Sequence, residues 1–266
     1  MSAIRVAIAG IHGQMGRALV AAIADDERFE LCGGVVRHGS VASGTPRSSS
    51  LDPALPLVTD VCDIPDRTRV VLDFTAPDAT VDIALACAAR GVPLVSGTTG
   101  LEAARLDKLR QIAREVPIVW AANMSVGIAA IRGLIPDLAR VLGGYDVEII
   151  ETHHRRKVDA PSGTALELAR AVVGGEEREL ETRAVYGRQG RMPRSPSDIG
   201  LHAVRAGGDP GSHTIIFGGD GDQVTISHRA FGRECYARGA LEAAAFVATR
   251  SPGFYSMTDV ITARTI

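Results

Sequence analysis

The sequence predicts an α/β protein: a Rossmann-like parallel-sheet cofactor domain carrying an inserted α+β mixed-sheet domain. Three observations predict it. Short apolar runs alternate with helical patterns through the first half of the chain, as in a parallel sheet covered on both faces. A glycine turn, Gly10-Ile11-His12-Gly13-Gln14-Met15-Gly16, joins the first apolar run to the first helical pattern. Further on, three strand-like runs follow one another without helices between them, which points to an antiparallel or mixed sheet.

In order, strands are expected at Ile4–Ala9, Phe29–Val36, Val70–Phe74, Leu94–Ser96 and Ile118–Ala122. Helices are expected at Met15–Ala24, Ala79–Ala89 and Glu102–Glu115. Residues 39–56 are rich in Ser, Pro, Gly and Ala without periodicity, so they read as a surface loop. The second half opens with a strand at Asp146–Thr152 and a helix at Thr164–Val173, where Thr164-x-x-Glu167 resembles a capping box. Residues 174–198 read mostly as loop around a short strand at Ala184–Tyr186. The three consecutive runs are Leu201–Arg205, Thr214–Phe217 and Gln223–His228, and Arg233–Thr249 returns to helix. That last helix is expected to pack back on the first domain. The expected division is therefore a first domain of residues 1–125 with 234–266, and a second domain of residues 126–233 inserted in it.

Bulk properties exclude several function classes. The chain has 266 residues, 45% of them hydrophobic, enough for a sizeable core. A net charge of −2 gives no general reason to bind nucleic acid or a membrane. Four widely spaced cysteines, Cys32, Cys62, Cys87 and Cys235, argue against a disulfide framework. The N-terminal residues show no signal-peptide pattern, and no apolar run approaches a membrane span. A cytoplasmic protein is expected.

The glycine turn has the context in which a backbone cradles a pyrophosphate, after a strand and at the start of a helix. Glycine permits the tight turn and close approach, and helix N–H groups point at the anion. His12 stands where the usual motif has its second glycine, so a tight turn without a ligand is the competing reading. About 20 residues on, an acid would favour NAD and an arginine a 2′-phosphate. The chain has Val36-Arg37 there, which favours NADPH over NADH, unless Arg37 is simply solvated. Two further loops at strand ends, Gly97-Thr98-Thr99 and Ala121-Ala122-Asn123-Met124, suit a nicotinamide carboxamide.

Chemistry concentrates in Glu151-Thr-His153-His154-Arg-Arg-Lys157-Val-Asp-Ala-Pro-Ser162-Gly163-Thr164-Ala165. Histidine exchanges protons near neutrality. Lys157 and the amides of residues 162–164 suit carboxylate oxygens. On an extended chain His153 and His154 point opposite ways and are expected to do different jobs. A zinc site, a nucleic-acid patch at Arg155-Arg156-Lys157 and a plain basic surface loop are the competing readings; ligand spacing and interleaved aromatics are lacking for the first two.

These segments resemble the dihydrodipicolinate reductase family, nearly end to end. Supporting stretches are Asp73-Phe-Thr75, Gly97-Thr-Thr-Gly100, Ala121-Ala-Asn-Met-Ser-Val-Gly127, and Arg205-Ala-Gly-Gly208 with Gly211-Ser-His213. The resemblance implies reduction of 4-hydroxy-tetrahydrodipicolinate to tetrahydrodipicolinate by NADPH or NADH, in lysine and diaminopimelate synthesis. It implies His153 and Lys157 as the catalytic pair. His154, Gly163, Thr164 and Thr99 are then substrate contacts. Gly10, Ile11, His12, Gly13, Gln14, Met15, Arg37, Gly97, Thr98, Thr99, Ala121, Ala122, Asn123 and Met124 are implied as the cofactor lining. A small dicarboxylate substrate and a homotetramer follow from the same resemblance. The missing acid beside Arg37 sets this chain toward NADPH. Closure about hinges near Ser125–Val126 and Arg229–Arg233 is expected. The competing functions are another NAD(P)-dependent oxidoreductase of the same build, such as an amino-acid dehydrogenase, and a dinucleotide sensor without turnover.

Overall fold

The computed structural model describes residues 2–37 and 51–264. Most of the Ser/Pro-rich loop expected at 39–56 lies outside the described residues; in its described part, Leu51 and Leu55 are buried. The chain divides into two compact units, Met1–Val126 with Arg233–Ile266, and Gly127–Gly232.

The first unit is a seven-stranded sheet. Its strands are β1 (Ile4–Ala9), β2 (Phe29–Val35), β3 (Leu57–Val58), β4 (Val70–Asp73), β5 (Leu94–Ser96), β6 (Pro117–Trp120) and, much later in the chain, β12 (Gly253–Tyr255). Their spatial order is β12-β6-β5-β4-β1-β2-β3, with every pairing parallel. The order reverses direction at β1, which has β2 on one side and β4 on the other. Open parallel sheets bind ligands at such a switch point, beyond the carboxyl ends of the strands. The strands read as continuous apolar runs because both faces are covered: Val6, Ala7, Ile8, Val70, Val71, Leu72, Leu94 and Val95 are all fully buried.

Helices α1 (Gln14–Ala24), α2 (Pro77–Ala89), α3 (Ala103–Ile112) and α7 (Glu234–Val247) cover this sheet, and a short α8 (Met257–Thr262) follows β12. Helix α7 packs on α1, β4, β5 and β6, as the periodicity of the C-terminal segment predicts. Strands four and six end a residue or two earlier than the sequence suggests, at Asp73 and Trp120.

The second unit contains α4 (Val126–Val141), β7 (Asp146–His153), α5 (Gly163–Val172), α6 (Glu177–Arg183), β8 (Ala184–Tyr186), β9 (Ile199–Arg205), β10 (Ser212–Gly218) and β11 (Gln223–Arg229). Its sheet order is β11-β10-β7-β9-β8. Strands β11, β10 and β7 are antiparallel neighbours, whereas β9 runs parallel to β7 and β8, so the sheet is mixed. One face carries Val147, Ile149, Leu201, Ile215 and Phe217 against Ile135 of α4 and Leu168 of α5. Alternation along β7 follows from the period of two: Val147, Ile149, Glu151 and His153 are buried, and the residues between them are not.

Three elements depart from the sequence pattern. Helix α4 has no counterpart there, because Gly127, Gly133 and an internal Pro136 interrupt its periodicity. Residues 174–198 contain the helix α6 as well as loop. The expected capping box at Thr164 is absent. Ser162 caps α5 instead, its hydroxyl accepting the Ala165 amide at 3.2 Å, so Thr164 is already the second helical residue.

Candidate active site

Chemistry-bearing residues gather in each unit at the ends of sheet strands. In the first unit, β1 runs into the glycine turn. Gly10 has φ +81°, and a Cβ there would lie 2.8 Å from the Phe74 carbonyl oxygen. A Cβ on Gly16 would collide with the Gly10 and Ile11 carbonyls, so glycine lets α1 sit directly over the turn. The Gly13 amide donates to the Gly10 carbonyl at 2.8 Å. Gly13 caps α1 without a side-chain hydrogen bond, and the first turn holds no acid. Among the described residues, then, no side chain caps this helix N-terminus and no acid stands in its first turn, which fits a phosphate. Gly13 and Gln14 are exposed, while His12 and Met15 are half-buried. Ile11 differs, because its side chain is core and contacts Gly34, so only its backbone faces the turn.

The neighbouring strands deliver the other expected residues. The Gly10 amide donates to the Val35 carbonyl at 3.0 Å, which ties the turn to the end of β2 and leaves the exposed Arg37 two residues beyond. Asp73, fully buried at the end of β4, accepts from the hydroxyls of Thr75 (2.5 Å), Thr80 (2.8 Å), Ser96 (2.8 Å) and Thr98 (3.0 Å). This hub joins β4, β5 and α2. It fixes Thr98 inward and leaves Thr99 exposed at the next position. Gly97 allows the loop to cross the Phe74 ring, where any Cβ would collide with it. After β6, Ala121, Ala122 and Asn123 are half-buried, and the Asn123 side chain accepts the Ser125 amide at 2.9 Å. Met124 is a core side chain at 2% exposure, and Gly239 of α7 lies against its carbonyl. Of Ala121–Met124, Met124 thus offers its backbone alone.

In the second unit, His153 ends β7. Register determines its company: His213 on β10 pairs with Glu151, and Arg205 on β9 pairs with His153. Paired residues share a face, so all four side chains converge. Glu151, 1% exposed, accepts four hydrogen bonds. They come from Arg205 Nη1 (2.8 Å) and Nη2 (2.7 Å), the Ser162 amide (3.0 Å), and His153 Nδ1 (2.5 Å). Burial pushes the Glu151 pKa up, but Arg205, His153 and the Ser162 amide outweigh it and hold the carboxyl below its ordinary value. An ionised carboxylate only accepts, so His153 Nδ1 carries the proton and Nε2 is left for exchange. Burial holds the His153 pKa below the usual histidine value, against the pull of Glu151, so the resting imidazole is neutral at pH 7.

The following loop supplies charge. The Lys157 ammonium lies 2.8 Å from Asp159 Oδ1, and its amide donates to the His154 carbonyl at 3.0 Å. Arg205 Nη2 also donates to the Asp159 carbonyl at 2.5 Å, which ties this loop to the Glu151 hub. The His154 amide donates to the Asp209 carbonyl at 2.8 Å, and its Nδ1 is buried without a hydrogen-bond partner among the described residues. His153 and His154 thus occupy different settings. Gly163 and Thr164 form the first turn of α5, with Gly163 exposed. Ser162 is buried and its Oγ lies 3.2 Å from His213 Nε2.

Sequence reasoning gave no role to Glu151, Arg205 or His213 in proton transfer, nor to Asp73 as a hub. Their partners stand up to 54 residues away, and only strand register brings them together.

Comparison with known proteins covers both units. Residues 4–124 match the family described as dihydrodipicolinate reductase, N-terminus, and residues 127–261 match its C-terminus. The 4-hydroxy-tetrahydrodipicolinate reductase of Rubrobacter xylanophilus is 45% identical over 97% of this chain and 98% of its own. That of Thiobacillus denitrificans is 46% identical over the same shares. A dipicolinate-bound dihydrodipicolinate reductase from Paenisporosarcina sp. TG-14 superposes with a TM-score of 0.75 at 25% identity, covering 96% of this chain and 97% of that one. A C. glutamicum DAP dehydrogenase shares the fold, with a TM-score of 0.55 at 16% identity. With both family models matched in order along the glycine-turn unit and the histidine–lysine unit, the chain belongs to the dihydrodipicolinate reductase family.

Proposed function

We propose that this protein reduces 4-hydroxy-tetrahydrodipicolinate to tetrahydrodipicolinate in lysine and diaminopimelate synthesis, with NADPH preferred and NADH possible. In balance, the substrate gains one hydride and one proton and loses its hydroxyl as water. The observation that carries this reading is the Glu151–His153 pair beside Lys157 and the start of α5, in a chain at 45–46% identity to named reductases.

The nicotinamide, when bound, supplies the hydride. The glycine turn at Gly10–Met15 would hold its pyrophosphate, Arg37 would meet a 2′-phosphate, and the Gly97–Thr99 and Ala121–Met124 segments would hold the nicotinamide. Lys157 and the Ser162–Thr164 amides take the substrate carboxylates, with His154 and Thr99 as further contacts. An arriving dianion favours the charged imidazolium, so His153 Nε2 gains the proton that it, or Lys157, gives to the ring carbon next to the one receiving hydride. Residues 1–125 with 234–266 form the cofactor domain in this reading, and 126–233 the substrate domain.

Oligomerisation belongs to the same reading. Helices α4, α5 and α6 pack on one face of the mixed sheet, and its other face carries Glu148, Ile150, His202, Val204, Thr214 and Ile216. Ile150 and Val204 are 36% and 42% exposed, which supports burial of this face in a homotetramer. Free thiols at all four cysteines support a cytoplasmic setting, and no helix among the described residues is long and apolar enough to cross a membrane.

The test is NADPH oxidation, followed by absorbance, with freshly generated substrate. His153→Ala and Lys157→Ala should each lower kcat by about 100-fold or more, with the NADPH Kd nearly unchanged. Full turnover in both variants overturns the assignment of the pair.

A further inference from the structure

The Glu151–Arg205 pair is costly to bury for a merely structural contact. A carboxylate at 1% exposure faces a guanidinium whose side chain is 18% exposed, on neighbouring strands of the same sheet. Such pairs give little net stability over apolar packing. Their value lies in fixing direction, and here all of the carboxylate's contacts point at one site. One edge of Glu151 takes Arg205, which also reaches the carbonyl of Asp159, the partner of Lys157. Oε1 takes the Ser162 amide at the start of α5, and Oε2 takes His153 Nδ1. The proton-bearing histidine, the lysine loop and the carboxylate-binding helix are thereby anchored on one side chain.

We propose that Glu151, clamped by Arg205, is the positioning residue of the proton-transfer site: it locks His153 in the Nδ1–H tautomer with Nε2 presented to the substrate, and supplies the counter-charge when the imidazole is protonated. This deepens the functional reading above and rests on it. The charged and titratable groups facing His153 are Glu151 on its own strand, Arg205 on β9, His213 on β10, whose ring meets it edge-on at 5.2 Å, and Lys157 on the following loop. Lys157 and Arg205 oppose imidazolium formation, and Glu151 alone of the four favours it. The protonated state of His153 thus depends on this one carboxylate.

Two measurements test the proposal. In wild-type protein labelled with 15N-histidine, long-range 1H–15N spectra read the tautomer directly, with His153 assigned by comparison with His153→Asn. The Nδ1–H form is expected; an Nε2–H form overturns the proposal, whatever any variant does. In Glu151→Gln the shape is kept and the charge lost. Its kcat should fall by at least about tenfold with KM for the dicarboxylate within about threefold, and the alkaline limb of its kcat profile should move to lower pH. A profile that superimposes on the wild type after scaling overturns the proposal, because a purely structural pair would lower the amount of folded enzyme without moving the limb. Should Glu151→Gln fail to fold, the wild-type tautomer still decides. Wild-type turnover tests the functional reading alone, so its failure and the failure of this positioning role are separable.

Discussion

Ser162 Oγ performs two tasks at once: it accepts the Ala165 amide at 3.2 Å and lies 3.2 Å from His213 Nε2. The first caps α5. The second gives the buried His213 its hydrogen bond, since His213 Nδ1 has no partner among the described residues. One hydroxyl therefore couples helix α5 to strand β10.

Ser162→Ala should consequently lose more than a surface cap. An N-cap is worth about 1 kcal/mol, and an imidazole left unsatisfied adds on the order of 1 kcal/mol more. Urea denaturation should show a loss of about 2 kcal/mol, with KM for the dicarboxylate raised and NADPH affinity nearly unchanged. A variant as stable as the wild type would remove the coupling. The Ser162 amide that serves Glu151 is backbone and survives the change.

His213 makes stability depend on pH. Burial pushes its pKa down to about 4, with nearby His153 adding to the effect. Unfolded, it returns to about 6.5. Between those values the unfolded chain binds a proton that the folded chain refuses, so stability rises with pH through that window and is lost on acidification. Going from pH 7 to pH 5 should cost about 2 kcal/mol from this group. His153 and His228 are lowered too and contribute with the same sign. In His213→Gln the stability difference between pH 7 and pH 5, measured by urea denaturation, should shrink by about that amount; an unchanged difference rules His213 out as the cause.

Local stereochemistry is what made parts of this molecule legible in the sequence. Gly10 and Gly16 announce a tight strand-to-helix turn because positive φ and backbone-on-backbone packing are written in the residue type. His153, Lys157 and Ser162 stand within ten residues of one another, so their shared chemistry shows without a fold. Glu151 and Arg205 do not, being joined only by the parallel register of β7 and β9. Asp73 likewise reads as one more residue of a strand until Ser96 and Thr98 arrive from β5 and the loop after it. Helix α4 was hidden by its own Gly127, Gly133 and Pro136, whose propensities the packing of Ile128, Ala129 and Ile135 overrides. At α5 the Thr164-x-x-Glu167 pattern misleads: the helix already begins at Gly163, and Ser162 caps it.

In the proposed function, cofactor choice turns on Arg37. The Val36 amide donates to the Val58 carbonyl at 2.9 Å, so β3 holds the end of β2 in place beside the glycine turn. Arg37 then emerges exposed, with Val36 rather than an acid before it, and Val36 is itself buried at 7% exposure. A guanidinium in that position gains from a 2′-phosphate and has nothing comparable to hold on a ribose 2′-hydroxyl. Charge-assisted bonds of this kind are worth about 1.5–3 kcal/mol, so Arg37→Ala should lower kcat/KM for NADPH by about 10- to 100-fold and leave kcat/KM for NADH within about twofold. Steady-state rates with both cofactors check this. An equal fall with each would mean that Arg37 acts on the fold of the loop, and no fall with either would mean that it stays in solvent while the adenosine phosphate is held by other residues.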